Sequence, residues 1–154
     1  METIYIASDH AGFEIKEKIK EFLEKEGFKF VDLGPYEYNP YDDYPDYALK
    51  VCKMISEKRG KGILVCGSGQ GMCIVANKIP GIRAALAWDE VSAKLAREHL
   101  DANVLCLPGR MLDKETAERM VEIWLKTPFS NEERHKRRLR KIKEIEGIYE
   151  KKGF

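Results

Sequence analysis

The sequence lacks long hydrophobic runs and a strong charge of either sign. No apolar stretch among its 154 residues approaches the roughly 18 that span a bilayer, and its first residues lack the basic and apolar segments of a signal peptide. Its 27 basic and 26 acidic residues leave a net charge of +1, which gives no global attraction to nucleic acid or membranes. We therefore expect a cytoplasmic protein with no nucleic-acid or membrane partner, folded as one domain over residues 1–154.

Cysteine is also scarce, and the four cysteines form no paired motif. None of Cys52, Cys66, Cys73 and Cys106 lies in a C-x-x-C pair, which argues against a disulfide framework and against a structural zinc site. We interpret Cys52 and Cys106 as small buried apolar residues, and Cys73 as a structural residue inside a helix. The chain also offers no loop typical of a cofactor, so we expect neither a metal nor a cofactor.

Strand-like and helix-like segments alternate along the chain almost without interruption. The apolar run at 62–66 is typical of a strand buried on both faces of a parallel sheet. Strands are predicted at 4–7, 28–33, 62–66, 84–88 and 104–107, and helices at about 13–27, 47–58, 70–78, 90–99 and 116–126. This order predicts an α/β fold: a doubly wound, Rossmann-like, five-stranded parallel sheet with helices on both faces and right-handed crossovers.

The C-terminal segment exceeds what such a sheet needs. Residues 131–152 are highly charged, and their apolar members recur every three or four residues, which predicts an extra amphipathic helix: Leu139, Ile142, Ile145 and Tyr149. Its basic half is either a solvated face or a surface for anions or RNA. Because its apolar stripe needs to be buried, we expect this helix to reach a partner subunit.

The first candidate site segment is Ser8-Asp9-His10-Ala11-Gly12, which directly follows the first strand. Ligands of open parallel sheets bind beyond the carboxyl ends of the strands, so this position is favourable for function. An adjacent acid and imidazole can polarise a hydroxyl or shuttle a proton. A carboxylate or hydroxyl at this position can equally cap the next helix, and the segment alone leaves both interpretations open.

The second candidate is the loop Cys66-Gly67-Ser68-Gly69-Gln70-Gly71, after the third strand. Alternate glycines allow a tight turn whose N–H groups point inward and bind an anion. The same dipoles favour the thiolate form of Cys66. The G-x-G-x-G spacing after a third strand is a poor match to the dinucleotide fingerprint, which follows the first strand.

Histidine and arginine form the third candidate group. His99 ends the fourth predicted helix, Arg110 follows the fifth strand, and Arg134 and Arg138 are four residues apart on one helix face. We expect His99 to lie beside the ligand-facing edge, although a lone histidine at a helix end is more often a dipole contact. Paired guanidinium groups suit a phosphate. A base, an anion-binding loop, imidazoles and arginines together fit aldose–ketose isomerisation through a cis-enediolate.

These segments make the sequence similar to ribose-5-phosphate isomerase type B, in the family that also holds galactose-6-phosphate isomerase. The resemblance covers nearly the whole chain. It rests on residues 8–12, Asp43-Tyr44-Pro45, residues 66–71, Ala76-Asn77-Lys78, Gly81-Ile82-Arg83-Ala84, residues 99–104 and Arg134-His135. Together these motifs are highly specific for the family. Of the single motifs, only the cysteine–glycine loop is persuasive.

The resemblance implies interconversion of ribose 5-phosphate and ribulose 5-phosphate, with a homodimer or a dimer of dimers sharing each site between subunits. It assigns the proton-transfer base to Cys66, an assisting hydroxyl to Ser68 and opening of the furanose ring to His99. The remaining residues bind the substrate: Gly67, Gly69 and Gly71 around the enediolate, Asp9 and His10 as further contacts, and Arg110, Arg134 and Arg138 at the phosphate.

Two departures from the family pattern leave alternatives open. Leu100 stands where an asparagine usually follows the ring-opening histidine, so the substrate could instead be a hexose 6-phosphate or another short sugar phosphate. The two residues before Arg134 are often glycines in the family, and here they are Glu132 and Glu133. This difference affects the local turn. The non-enzyme alternative is a nucleotide- or RNA-binding module, which predicts salt-sensitive binding and gives Cys66 and His99 no role.

Overall fold

The computed structural model describes residues 2–151, whose strands form one five-stranded parallel sheet. The strands are β1 (Ile4–Ser8), β2 (Phe30–Asp32), β3 (Lys61–Cys66), β4 (Ala84–Leu86) and β5 (Val104–Pro108), and they pair in the order β2-β1-β3-β5-β4. The inner strands β1 and β5 are buried along their whole length, whereas the short edge strands are partly exposed. The predicted fold class is confirmed.

Helices cover both faces of the sheet. They are α1 (Phe13–Lys25), α2 (Tyr44–Lys58), α3 (Gln70–Ala76), α4 (Glu90–Glu98), α5 (Lys114–Lys126) and α6 (Glu133–Lys151), with a 3-10 turn at His10–Gly12 before α1. One face buries an apolar core from α1, α4 and α5 that includes the fully buried Trp124. The other face packs α2 and α3 around residues such as Val51 and Met72. Burial on both faces explains the continuous apolar run of β3.

Several boundaries differ from those predicted. The strand β2 starts at Phe30 rather than at Phe28, because the N–H of Phe28 bonds back to the carbonyl of Leu23 and closes α1. The helix α2 begins three residues before the predicted Tyr47, since Pro45 fits a first helical turn, where its missing N–H costs nothing. The third helix and fourth strand end earlier than predicted, at Ala76 and Leu86.

The extra C-terminal helix predicted at 131–152 is α6, and residue 152 lies outside the described residues. Its apolar stripe faces a cleft of about 540 Å³ whose opposite wall includes Ile82 and Leu100. The helix α6 is joined to the segment before β4 by a hydrogen bond from the N–H of Gly81 to the Glu146 carboxylate at 2.9 Å. Ile145 remains 57% exposed, so the chain by itself leaves this stripe partly uncovered. Of the helices described, none is long and apolar enough to cross a membrane.

Candidate active site

One group of predicted residues lies at the carboxyl ends of β1, β3 and β5, which we call the carboxyl-edge group: Asp9, His10, Cys66, Gly67, Ser68, Gly69, Gly71 and Arg110. Main-chain hydrogen bonds join the segments. The carbonyl of Cys66 accepts the N–H of Gly109 at 2.8 Å, and the N–H of Asp9 donates to the carbonyl of Val65 at 3.2 Å. Since these bonds fix the backbone on both sides of β3, the group is held rigidly at one edge.

The loop after β3 contains three glycines that lie close to neighbouring groups. A Cβ atom at Gly67 would lie 3.2 Å from the guanidinium of Arg110, and one at Gly71 would lie 2.5 Å from the ring of Tyr44. Gly69 has a left-handed φ of 75° and precedes α3. Arg110 and the ring of Tyr44 therefore lie directly against the loop, and a glycine loop of this kind can bind an anion through its backbone N–H groups. Tyr44 belongs to a motif quoted above, but its position over the loop was not predicted.

Cys66 and Ser68 supply the polar side chains of this loop. Cys66 is only 4% exposed and packs against the apolar cluster around Met72, whereas Ser68 is half-buried. The Ser68 hydroxyl accepts the N–H of Gln70 at 3.3 Å. The thiol lies at the end of β3, directly before the glycine loop.

Asp9 caps the 3-10 turn and also lies within the group. Its carboxylate accepts the N–H of Gly12 at 3.1 Å, so the capping interpretation left open above is correct for this oxygen. Burial raises the pKa of the Asp9 carboxyl, and the bond from Gly12 partly offsets that effect. The turn can approach β3 because position 12 is glycine: a Cβ there would lie 2.3 Å from the carbonyl oxygen of Val65.

His10 has a partner that sequence reasoning missed. Its backbone N–H and its ring Nδ1 both contact Oδ1 of Asp42, at 2.9 and 2.8 Å. Asp9, His10 and Asp42 together bring possible metal ligand atoms within 4.8 Å of one another, a cluster that spacing along the sequence does not reveal. The only available signal was an acidic pair in an aromatic loop, and nothing local predicts which strand end it reaches.

His99 lies at the opposite, amino-terminal edge of the sheet, and the prediction that it lies beside the carboxyl ends is wrong. The helix α4 runs back across the sheet, so its end meets the start of β4. There Arg83, the residue before β4, donates from Nε to the carbonyl of Leu100 at 3.1 Å and from its N–H to Oδ1 of Asn103 at 2.8 Å.

The strand register measures the separation between the two edges. Gly62 pairs with Val104 at the amino end of β3, and Cys66 pairs with Pro108 at the carboxyl end. At about 3.3 Å per residue, this interval spans about 13 Å of strand. Within one chain, therefore, His99 and Cys66 do not belong to the same pocket.

Arg134 and Arg138 begin α6 near His99, and we call these three the amino-edge group. The ring of His99 stacks on that of His135, with centroids 4.3 Å apart. His135 is buried, its Nδ1 lies 2.6 Å from the Ser130 hydroxyl, and its pKa is lowered by burial and by the charges of His99 and Arg134. The start of α6 is thereby fixed against the end of α4.

The residues that depart from the family pattern also lie at this edge. Leu100 is 43% exposed and lines a groove of about 310 Å³ beside His99, so it does not point into the core. The amide oxygen of Asn103 accepts the Arg83 N–H, and its nitrogen donates to the carbonyl of Gly81 at 2.9 Å. Both ends of this amide therefore bond to nearby backbone groups. Glu132 accepts a hydrogen bond from Nε of Arg134 at 2.7 Å.

Cys52 and Cys106 behave as structural residues. All four cysteines are free thiols, and Cys52 and Cys106 are buried, as predicted. Burial raises the pKa of Cys52 to about 12. A hydrogen bond with Cys73 and complete burial both raise the pKa of Cys106. These two thiols therefore stay protonated at neutral pH.

The carboxyl edge of this doubly wound sheet carries a cysteine and a glycine loop, and that loop follows β3 with a spacing unlike the dinucleotide fingerprint. The model of the ribose/galactose isomerase family matches residues 4–142, so the chain belongs to this family. The predicted family and enzyme class are confirmed, and the alternative of a nucleotide- or RNA-binding module has no support from the comparisons.

Individual relatives agree with this assignment along most of their length. A probable ribose-5-phosphate isomerase B of Mycoplasma pneumoniae is 46% identical over 140 residues, which covers 90% of this chain and 91% of the relative. A ribose 5-phosphate isomerase structure from Thermotoga maritima has a TM-score of 0.88 at 49% identity, covering 93% of this chain and 98% of that one. A Mycoplasma genitalium ribose-5-phosphate isomerase B with bound ribulose-5-phosphate has a TM-score of 0.90 at 43% identity, covering 94% and 96%.

Proposed function

We propose that this chain interconverts ribose 5-phosphate and ribulose 5-phosphate, with Cys66 as the base. The observation that carries the proposal is the position of Cys66. It ends the central strand β3 and directly precedes a glycine loop, and the guanidinium of Arg110 lies close to Gly67 in that loop. The names of the relatives and the ribulose-5-phosphate bound to one of them support the choice of substrate.

In this mechanism Cys66 acts first as a base and then as an acid. The thiolate removes the proton from C2 of the open aldose while the carbonyl electrons move to O1, which forms a cis-enediolate. The N–H groups of the loop from Gly67 to Gly71 bind the negative oxygen, and the hydroxyl of Ser68 assists there. The proton of the C2 hydroxyl passes to O1, and the thiol returns its proton to C1 as the C2 carbonyl forms, which gives the ketose with no net gain or loss of electrons.

We further propose a homodimer, or a dimer of dimers, in which each site combines two chains. Ring opening by His99 and phosphate binding by Arg134 and Arg138 require the amino-edge group to meet Cys66, yet within one chain about 13 Å of strand separates the two edges. A partner subunit that packs along β4 and α6 would bring its amino-edge group to this carboxyl edge. The apolar residues along that surface support this packing, since Trp88 and Val91 are exposed in the chain alone.

Arg110 is the phosphate contact that the chain supplies to its own carboxyl edge. Its N–H donates to the carbonyl of Gly67 at 3.1 Å, and its guanidinium lies over the same residue. Asp9 and His10 contact the sugar from the end of β1. We place the enzyme in the cytoplasm, where its free thiols remain reduced.

The test is a panel of aldose phosphates assayed for ketose formation. We expect ribose 5-phosphate to be converted, with ribulose 5-phosphate as the product. Because Leu100 replaces a residue that could hydrogen bond a sugar hydroxyl, a hexose 6-phosphate and shorter sugar phosphates belong in the panel. Preference for one of these would change the substrate, and turnover of none would contradict the proposal.

A further inference from the structure

The loop aspartate Asp42 bonds twice to His10, a residue 32 positions earlier in the chain. Its Oδ1 accepts the backbone N–H of His10 at 2.9 Å and contacts the ring Nδ1 at 2.8 Å. An ionised carboxylate only accepts hydrogen bonds, so the proton of a neutral His10 ring lies on Nδ1. Nε2 is then the nitrogen with a free lone pair, and no group among residues 2–151 hydrogen bonds to it.

The second oxygen of Asp42 points to a role beyond stability. Oδ2 is buried and has no hydrogen-bond partner among the described residues. The side chain as a whole is only 5% exposed, whereas that of His10 is 25% exposed. Burying a carboxylate with one oxygen unsatisfied lowers stability, and such costs are concentrated at functional sites. Both contacts of Oδ1 are to His10, so the geometry links Asp42 to a ligand through that ring.

We propose that Asp42 is a positioning residue that holds His10 in the Nδ1–H tautomer and presents Nε2 to the sugar phosphate. The proposal rests on the proposed function for the identity of the ligand. In the neutral ring Nε2 accepts a hydrogen bond from a sugar hydroxyl, and in the charged ring it donates to an oxygen. Without Asp42 the ring populates the other tautomer, whose Nε2 cannot accept. The edge of Tyr38, with its centroid 6.3 Å from that of His10, further restricts the ring.

The first test measures the tautomer directly in the intact protein. The chain has three histidines, and ¹⁵N labelling of their imidazoles with NMR distinguishes Nδ1–H from Nε2–H, while His10→Asn assigns the His10 signals. We expect Nδ1–H at His10 in the wild type and a mixture in Asp42→Asn. Asp46→Asn is the control, because Asp46 is an exposed carboxylate in the same region. An unchanged tautomer in Asp42→Asn would overturn the proposal.

The second test asks whether Asp42 acts through His10. Loss of a residue that orients a ligand-binding histidine typically costs about tenfold to a hundredfold, so Asp42→Asn should lower kcat/KM for ribose 5-phosphate by about that factor. Asp46→Asn should stay within about twofold, as surface changes do. In a His10→Asn background, which keeps a donor toward Asp42 but lacks Nε2, Asp42→Asn should have almost no further effect. An undiminished loss in that background would contradict the proposal.

The two readouts separate failure of this inference from failure of the proposed function. If the wild type does not convert ribose 5-phosphate, the proposed function fails, and the NMR result alone decides the role of Asp42. If the wild type is active and Asp42→Asn matches Asp46→Asn in both readouts, the function stands and this inference is wrong. Should Asp42→Asn melt well below the wild type, Asp42→Ala takes its place with the same expected results.

Discussion

The two edges of the sheet carry two differently built groups of site residues. The carboxyl-edge group consists of residues at strand ends and in a loop whose glycines contact neighbouring groups closely. Its Asp9 and Cys66 are almost fully buried. The amino-edge group lies on the end of α4 and the start of α6, where Arg134 and Arg138 are exposed. The first group is preorganised within one chain, whereas the second group lies on a surface that a partner can reach.

This comparison explains how one small domain can divide the work of an isomerase. Enediolate stabilisation needs donors held in fixed positions, which strand ends and a tight glycine loop provide. In the proposed site, ring opening and phosphate binding fall to exposed side chains at helix ends that a second subunit presents.

Cys66→Ala should abolish the proton transfer and leave the fold intact. Loss of a positioned base costs about 10²–10⁴ in rate, and the change removes only one sulfur atom from a packed site. Ketose formation from ribose 5-phosphate, with circular dichroism as the check on folding, measures this effect. Cys73→Ala is the matched control, since Cys73 lies one helix turn beyond the loop. Near wild-type activity in Cys66→Ala would mean that another group moves the proton.

Mixing Cys66→Ala with Arg134→Ala should restore activity that neither variant has alone. If each site joins the carboxyl edge of one chain to the amino edge of another, a hybrid dimer keeps one intact site. Random reassembly of symmetric dimers then gives about a quarter of the wild-type activity. The measurement is the assay above after dissociation and reassembly of the mixture. A monomer at the assay concentration, or no recovery after mixing, would contradict a shared site.

Leu100→Asn tests whether the amino edge contacts the sugar. An asparagine can bond a hydroxyl that leucine leaves unpaired, and one such bond is worth about tenfold in specificity. We expect that gain in kcat/KM for ribose 5-phosphate relative to the best other substrate of the panel. Leu49→Asn, an exposed leucine on α2, is the control. If both substrates respond alike to Leu100→Asn, Leu100 does not contact the sugar.

Glu132→Gln should lower KM modestly, because the Glu132 carboxylate occupies Nε of Arg134 where a phosphate would bind. Both side chains are more than half exposed, so we expect a change of no more than about fivefold, with kcat unaffected. Glu133→Gln is the matched control, since that carboxylate bonds to Arg140 instead. A higher KM in Glu132→Gln would indicate that Glu132 orients Arg134 for the phosphate rather than competing with it.

The fold class and the carboxyl-edge loop follow from the sequence alone. Alternating apolar segments specify strands and helices locally, and Gly69 and Gly71 stand where the loop has no room for a Cβ or needs a left-handed φ. Because the loop directly follows the buried strand β3, its place at the carboxyl edge follows from the chain order alone. The extra terminal helix was likewise predicted from its own periodicity.

How these parts meet depends on the tertiary structure. The sheet order puts β5 between β3 and β4, and α4 runs back across the sheet, so His99 at its end lies at the amino edge, whereas the other candidates directly follow strands. The contact of Asp42 with His10 likewise joins two loops separated along the chain. Such pairings depend on strand order and on the packing of whole elements, which no local pattern encodes. For that reason the residue types of the site were readable from the sequence, but the contacts between separate loops were not.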